Sequence, residues 1–297
     1  MKLRFFFFFV IVWSFCTGQI AQYNHFPTIK PSHILDEKLD DISFALSFRI
    51  LESDYEGPLV RLRRASDDVE LDFYHNDNDI VDVDAINTWR SGANVYVVTW
   101  YDQSGLGRNA IQPTKSRQPR FYPNTTKPYF QGDGSDDHLE VQTSIQVVTN
   151  SGVNGTVFMV ASATKKSQHT FGVLRGVNRW SSHMNWSNNN LYFDPGICCN
   201  NPRYYSNGAS VGVWKQYTFF KTNTHVVARL NGVEKINGVH TKGRCTINDN
   251  FTIGWAKGDQ SYNHSTTLFQ EFIMYSTDVS TAYYQEIENN AMVFWSL

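Results

Sequence analysis

The sequence is poor in cysteine, in net charge and in long apolar segments. It holds four cysteines among 297 residues, and its 26 basic and 28 acidic side chains leave a formal charge of -2. The lack of a basic block argues against nucleic acid or an anionic membrane surface as the main partner. The cysteines lack the paired spacing of a structural zinc site, and none of the nine histidines forms an HExxH motif. Beyond the N-terminus, no segment approaches the roughly 20 apolar residues that a membrane span needs.

The N-terminus has the composition of a secretory signal peptide. Two basic residues precede the apolar run 5–15, and small residues follow at the offsets where a signal peptidase cuts. We therefore expect a signal peptide over residues 1–18 and a secreted, extracellular protein. Residues 19–40 are polar and irregular, which predicts a lead-in before one domain that spans residues 41–297.

Asn-x-Ser/Thr tripeptides support the same compartment. Such a tripeptide is an acceptor for N-linked glycosylation in secreted proteins, although it is common by chance in a chain rich in Asn, Ser and Thr. Five candidate acceptors occur: Asn124, Asn154, Asn185, Asn250 and Asn263. Together with the signal peptide, they predict a secreted glycoprotein.

Removal of the signal peptide leaves an odd number of cysteines: Cys198, Cys199 and Cys245. In an oxidising compartment this predicts one free thiol or a bond to another chain, such as a disulfide-linked dimer. Two intrachain pairings stay open. Cys198 or Cys199 could bond to Cys245 and close an ordinary loop, or the two adjacent cysteines could bond to each other and stiffen their own loop.

The hydrophobic periodicity is mostly two, which is typical of strands. Alternating segments such as "GTVFMVASA", "WKQYTFFKT" and "TLFQEFIMYS" are separated by polar turns, and Asn231-Gly232 predicts a two-residue hairpin turn. Two helices are expected, one near residues 83–90 and one over residues 281–293. Many strands with few helices predict an all-β protein, an antiparallel jelly-roll sandwich with a short C-terminal helix.

Three blocks carry a family resemblance: "FALSFRILESDYEGPLVRLRRASDDVELDF", "VVTWYDQSGLGRNAIQPTKSRQP" and "KPYFQGDGSDDHLEV". They resemble concanavalin A-like, laminin-G-like sandwich domains, and they are similar to the catalytic domain of family 54 α-L-arabinofuranosidases. The resemblance covers roughly residues 44–290, and "WYDQSGLGRNAIQP" is its specific part. It implies a sandwich fold that handles carbohydrate.

The specific block has a structural explanation of its own, which we favour over a direct ligand role. Its turn consists of Tyr101, Asp102, Gln103, Ser104 and Gly105. The aspartate can accept backbone N–H bonds across the turn, the serine can cap it, and the glycine permits a positive φ. We expect this turn to fix a long crossover loop.

The resemblance also implies a test of catalysis. A retaining glycosidase needs two carboxyl groups about 5 to 5.5 Å apart. The family's acid/base lies in a Gly-Asp segment that Asp259 matches, and the family's sugar pocket is lined by an adjacent cysteine pair like Cys198-Cys199. The family nucleophile is a glutamate in an M-E-N-N type segment, which has no counterpart here. Glu271 corresponds to a residue common in non-catalytic sandwiches, and we expect it to be structural.

An acidic run invites a calcium hypothesis. Asp77, Asp79, Asp82 and Asp84 could supply the oxygen ligands that Ca²⁺ prefers. The spacing is not that of an EF-hand, and the alternative is a solvated turn with negative charge at a helix N-terminus. No other cofactor is expected.

Aromatic and carboxylate side chains around the cysteine pair predict a glycan-binding surface, because sugars stack on aromatic rings while carboxylates bind their hydroxyls. The candidates are Trp180, Trp186, Tyr192, Asp194, Tyr204 and Tyr205. The leading interpretation is a lectin-like protein that binds polysaccharides, glycoprotein glycans or extracellular matrix without catalysis. The alternatives are an α-L-arabinofuranosidase-like hydrolase that uses Asp259, and a structural matrix protein of a shell, cuticle or coat.

Overall fold

The computed structural model describes residues 33–166, 168–199, 202–241, 243–258 and 264–297. The predicted signal peptide, most of the predicted lead-in, Asp259 and Asn263 lie outside the described residues. No helix among the described residues is long and apolar enough to cross a bilayer.

The described part of the chain contains nineteen strands, three α-helices and one 3-10 helix. The strands are β1 (Ile42–Ser47), β2 (Val60–Arg64), β3 (Glu70–Phe73), β4 (Val95–Trp100), β5 (Ala110–Ile111), β6 (Arg120–Tyr122), β7 (Tyr129–Gln131), β8 (Leu139–Ser144), β9 (Gly155–Ser162), β10 (Phe171–Arg175), β11 (Asn178–His183), β12 (Leu191–Ile197), β13 (Tyr204–Tyr205), β14 (Trp214–Lys221), β15 (His225–Leu230), β16 (Val233–Val239), β17 (Asn250–Ile253), β18 (Lys257–Gly258) and β19 (Leu268–Tyr275). The helices are α1 (Val83–Arg90), α2 (Ile145–Val148), α3 (Thr281–Trp295) and the 3-10 turn Lys115–Arg117.

The strand pairings form two extended layers. One layer has the order β1-β19-β9-β14-β15-β16. The other runs β3-β2-β4-β5-β8-β17-β10-β11-β12-β13, while β6 and β7 link β4 to β19. Every pairing is antiparallel except the short contact of β10 with β18. The predicted antiparallel β-sandwich with a short C-terminal helix is therefore confirmed.

Aromatic side chains fill the space between the layers. Phe44, Phe171, Phe251 and Phe272 form a cluster with ring centroids 5.4 to 5.8 Å apart. All four are fully buried and come from strands of both layers. Large buried rings of this kind contribute both apolar area and preferred edge or stacked geometry. This aromatic cluster is what holds the two layers together at their centre.

Local sequence signals account for the best-predicted elements. Leu230 pairs with Val233 across Asn231-Gly232, whose φ values of 46° and 72° are those of a two-residue hairpin turn. Helix α1 begins after Asp82, whose carboxylate accepts the N–H of Ala85 at 2.9 Å. That bond caps the helix as expected for a residue with a short polar side chain.

Candidate functional site

The candidate site lies on the outer face of β11 and β12. These strands pair in a register that sets Arg179 opposite Gly196, Ser181 opposite Asp194, and His183 opposite Tyr192. Because side chains alternate along a strand, the residues between them point inward. The row of Arg179, Asp194, His183 and Tyr192 consequently shares the face that is turned away from the core.

A cavity of about 250 Å³ opens on this face. It is lined by His169, Arg179, His183, Trp186, Tyr192 and Arg203, and we call it the His-Trp pocket. The rings of His183 and Trp186 lie 4.5 Å apart, and His169 lies 4.4 Å from His183. The wall of the pocket is thus a contiguous set of aromatic and imidazole rings.

A tight turn after β11 carries Trp186 into the pocket. The backbone N–H of Trp186 donates to the carbonyl of Asn190 at 2.8 Å, and its own carbonyl accepts from Asn189 at 2.9 Å. Asn189 has a φ of 65°, a conformation that asparagine tolerates better than most residues. Trp186 is half-buried, so one part of its ring remains available to a ligand.

An ion pair holds one of the lining residues, Arg203. Asp194 has a side chain that is 1% exposed, and it accepts two bonds from Arg203, from Nε and from Nη2, each at 2.5 Å. The guanidinium of Arg203 also lies 4.4 Å from the ring centre of Tyr192. A second guanidinium, that of Arg179, approaches Asp194 with Nη1 at 3.8 Å from Oδ2. The carboxylate of Asp194 is therefore fixed in place by Arg203 and approached by Arg179.

The imidazole of His183 is a neutral hydrogen-bonding group. Burial lowers the pKa of His183 to about 3, so the ring carries no charge at neutral pH. Its Nδ1 lies 3.2 Å from the carbonyl oxygen of Gln168. Since a carbonyl oxygen only accepts, the proton belongs on Nδ1, and Nε2 is an acceptor. An acceptor beside a tryptophan ring suits a sugar hydroxyl.

Of the six predicted glycan-binding residues, two line this pocket and a third contacts its wall. Trp186 and Tyr192 line it, and Asp194 pairs with the lining residue Arg203. Tyr204 packs against Tyr192 with ring centroids 5.6 Å apart and is 44% exposed, so it extends the same surface. Tyr205 pairs with Leu191 and faces Lys235 at a neighbouring depression.

The prediction that Trp180 binds a glycan is wrong. It is fully buried and packs edge-on against Phe193 at 5.1 Å, where no glycan could reach it. Its neighbours Arg179 and Ser181 take the outer face, so strand alternation sends Trp180 into the core. Sequence reasoning missed His169, Arg179, His183 and Arg203, although the alternation of Arg179, Ser181 and His183 was a usable signal for two of them.

Of the two predicted disulfide pairings, the structure has the bond between the adjacent cysteines. Cys198 and Cys199 are bonded to each other, while Cys245 is free and buried. The disulfide follows β12 at the end opposite Tyr192, about 20 Å away along an extended strand. Neither cysteine is among the residues that line the His-Trp pocket. The stiffened loop therefore sits beside the β10–β11 turn, where Cys198 donates its N–H to Val177.

The turn at residues 101–105 holds the crossover loop through side-chain hydrogen bonds to the backbone. Oδ1 of Asp102 accepts the N–H of Ala45 at 2.8 Å and that of Ser104 at 3.0 Å, and Oδ2 accepts the N–H of Arg108 at 2.9 Å. Gln103 accepts from the N–H of Leu51. The side chains of this buried turn thus tie the crossover loop to β1 and the segment after it. Tyr101 donates to Asp72 at 2.7 Å, and Gly105 has a φ of 79°.

The calcium site stays a prediction for the acidic run, whose aspartates have other contacts in this structure. Asp82 caps α1, Asp79 lies 3.2 Å from a nitrogen of His33, and Asp77 and Asp84 are exposed. Among the described residues, no group of three metal-binding side chains includes any of these four aspartates. Helix capping and solvation account for the run.

A different acidic cluster does converge. Asp133, Asp136 and Asp137 place ligand atoms within 4.8 Å of one another. Oδ1 of Asp133 accepts the N–H of Ser135 at 2.7 Å and bonds to the next two N–H groups, so the cluster is the geometry of a tight turn. Burial and the charge of Asp133 raise the pKa of Asp137 to about 7.

The candidate glycosylation acceptors differ in exposure. Asn124 lies exposed in the loop between β6 and β7. Asn154 and Asn185 are buried, and Asn185 donates to the carbonyl of Ala209. Asn250 lies within β17 and donates to Glu140 at 2.8 Å. Only Asn124, among the four described acceptors, offers an exposed side chain on a loop.

Comparison of the fold with solved structures gives strong matches at low sequence identity. An arabinofuranosidase in complex with arabinofuranosyl-α-1,2-xylobiose matches with a TM-score of 0.64 and 15% identity over 84% of this chain and 62% of that chain. A mutant family 54 α-L-arabinofuranosidase soaked with 4-nitrophenyl α-L-arabinofuranoside gives 0.67 and 14% over 88% and 64%. The same kind of enzyme soaked with a cyclic sulfate inhibitor gives 0.64 and 14% over 88% and 64%.

The fold is that of the family 54 α-L-arabinofuranosidases. The chain spans less than two thirds of the length of each of these solved chains. No protein-family model matches the sequence, and a comparison with curated proteins gives no match. The resemblance to a concanavalin A-like, family 54-type sandwich is thus confirmed at the level of the fold.

None of the described residues that line the His-Trp pocket is a carboxylate, and one carboxylate pairs with its lining residue Arg203. That carboxylate, Asp194, is bonded to Arg203 and shielded from solvent. Glu271, which the sequence predicts to be structural, is 1% exposed and accepts bonds from Arg49, Ser47 and Trp295 in the core. Asp259 lies outside the described residues. The described residues that line the His-Trp pocket therefore do not provide the pair of carboxyl groups that a retaining glycosidase requires.

Proposed function

We propose that this protein binds a sugar residue of a glycan in the His-Trp pocket. The observation that carries the proposal is the juxtaposition of the Trp186 ring with the neutral imidazole of His183, 4.5 Å away. Sugar rings present an apolar face that stacks on an aromatic ring and a rim of hydroxyls that exchange hydrogen bonds. Tyr192 and Arg203 supply further donors along the same wall.

A glycoside hydrolase of the arabinofuranosidase type is the second candidate, and the fold likeness supports it. In that case Asp259 would be the proton donor, as the family resemblance implies. Asp194 is a poor nucleophile where it stands, because two arginines hold its charge and its side chain is almost fully covered. Hydrolysis therefore needs a second reactive carboxylate in addition to Asp259.

We infer that the partners are polysaccharides or glycoprotein glycans and that the protein is secreted. The signal-peptide composition and the exposed acceptor Asn124 support this localisation. A matrix protein cross-linked through its odd cysteine has weaker support, since Cys245 is buried within the fold. Binding to extracellular matrix through glycans is compatible with the same pocket.

Calorimetric titration with arabinose-bearing and other oligosaccharides tests the binding proposal. We expect saturable binding that weakens about tenfold or more in Trp186→Ala, because one stacking surface is lost. Tyr74→Ala is the matched control. It removes an exposed aromatic ring next to β3, and Tyr74 is not one of the residues that line the pocket. Binding that survives Trp186→Ala unchanged would place the glycan elsewhere.

The hydrolase candidate is separated by a turnover assay on the same samples. Release of nitrophenol from 4-nitrophenyl α-L-arabinofuranoside, abolished by Asp259→Asn, would establish hydrolysis. Binding without turnover in a folded sample would leave the non-catalytic function. If a folded sample shows no binding and no turnover with any sugar of the panel, a carbohydrate role for the pocket is refuted.

A further inference from the structure

The charges at the His-Trp pocket do not balance. Two guanidinium groups, those of Arg179 and Arg203, face one carboxylate, that of Asp194. Guanidinium groups stay protonated in proteins, and the imidazole of His183 is neutral. Among the described residues the pocket therefore carries one positive charge in excess.

The excess charge belongs to Arg179. Arg203 makes the short two-bond pair with Asp194, at 2.5 Å for each bond, whereas Arg179 stays 3.8 Å from the same carboxylate. Nε and Nη2 of Arg179 donate to the backbone carbonyl of Gly176, which has no charge to offer. Burial lowers the pKa of Arg179, which reflects the cost of a charge that Asp194 only partly compensates.

The chain segment before His169 adds charge of the same sign. The loop that leads to His169 carries Lys165 and Lys166, both exposed, and its sequence from residue 164 to 169 contains no acidic residue. Lys166 lines an open groove together with Asn185 and Asn188, next to the turn that bears Trp186. A cleft lined by charge of one sign raises the local concentration of ligands of the opposite sign.

From this excess we propose that the His-Trp pocket selects an anionic sugar, a residue that bears a carboxylate or a sulfate ester, over its neutral counterpart. The inference rests on the proposed sugar-binding function of the same pocket. A ligand anion beside Arg179 would compensate the guanidinium charge that Asp194 does not neutralise, while Trp186 stacks on the sugar ring. Planar guanidinium groups bind such oxyanions with two parallel hydrogen bonds.

Calorimetry with matched pairs of methyl glycosides tests the proposal on the full secreted chain. The pairs are glucuronide with glucoside and galacturonide with galactoside, and the 6-sulfate of each neutral sugar distinguishes sulfate from carboxylate. We expect at least one anionic member to bind about tenfold or more tighter than its neutral partner. Arg179→Gln should remove that preference, so that the anionic sugar loses more affinity than its neutral partner, since the pair of Arg203 with Asp194 is retained.

Two control variants make the result decisive. Arg179→Lys keeps the charge and should keep a preference for the anion. Arg61→Gln removes the same charge from a pair with Asp72 on β3, outside the pocket, and should behave as wild type. Equal affinity for acid and neutral sugar would overturn the anionic specificity while the sugar pocket stands. Failure of every sugar to bind a folded sample would overturn the pocket itself, and an anion preference that persists in Arg179→Gln would place the anion at another site.

Discussion

The buried carboxylate of Glu271 offers the sharpest test of which acidic residues support the fold and which act on a ligand. Its Oε2 accepts bonds from Nε of Arg49 at 2.6 Å, from Ser47 at 3.1 Å and from the indole of Trp295 at 3.0 Å. Its Oε1 accepts from Nη2 of Arg49 at 3.1 Å. These partners join β1, β19 and the C-terminal helix, so Glu271→Gln perturbs a junction of three elements.

The expected loss of stability is large. Arg49 has a side chain that is 4% exposed, and that of Glu271 is 2% exposed, so water cannot replace the missing charge. Removal of one partner from a buried ion pair typically costs about 3 to 5 kcal/mol, because the remaining charge stays buried without compensation. For a domain that is stable by about 5 to 15 kcal/mol, this is a substantial fraction of the free energy of unfolding.

Urea denaturation followed by tryptophan fluorescence measures the effect. The control is Glu286→Gln, which removes the carboxylate of a pair with Lys38 at 2.9 Å that is 60% exposed on the glutamate side. We expect the control to cost less than about 1 kcal/mol, as exposed pairs do. A Glu271→Gln protein within about 1 kcal/mol of wild type would refute the reasoning, and lost turnover with intact stability would instead assign Glu271 to catalysis.

Three further predictions concern buried or exposed single residues. Because burial raises the pKa of Asp137 from 3.8 to about 7, the folded state holds a proton that the unfolded chain loses, so stability should fall as the pH rises through that interval. Asp137→Asn should flatten this fall in a series of thermal melts, and an unchanged pH profile would contradict it. Mass spectrometry of protein secreted from eukaryotic cells should find a glycan at Asn124 and none at the buried Asn154 and Asn185. Burial raises the pKa of Cys245 to about 11, so maleimide should label it only after denaturation, and labelling of the native protein or a disulfide-linked dimer would contradict the buried free thiol.

The elements that the sequence predicted well are those specified by local chemistry. Asn231-Gly232 determines its hairpin through positive φ angles, and Asp82 determines the start of α1 through its own hydrogen bond. Strand alternation likewise identified the sandwich, because each strand must cover one face with apolar side chains. Such signals lie within a few residues of the feature they specify, so they can be read without knowledge of the partner strands.

The pocket depended on information that is not local. Trp180 and Trp186 lie six residues apart and would share a face if β11 continued to Trp186. The strand ends at His183, and the turn that follows carries Trp186 to the outer side while Trp180 stays in the core. His169 and Arg203 reach the pocket from segments outside β11 and β12. Their meeting is set by strand order, which periodicity does not encode.

Buried pairs of arginine with a carboxylate recur in this sandwich, and comparison of three of them separates structure from recognition. Arg49 with Glu271 and Arg229 with Glu288 are one-to-one pairs, at 2.6 and 2.8 Å, and each anchors the C-terminal helix or the strand beside it. Arg203 with Asp194 has the same short geometry, but it opens on a cavity that a second arginine also faces. In a one-to-one pair each charge is compensated, whereas at Asp194 two guanidinium charges face a single carboxylate and one of them is not compensated. The same local chemistry thus stabilises the fold at two places and, at the third, creates the conditions for binding an anion.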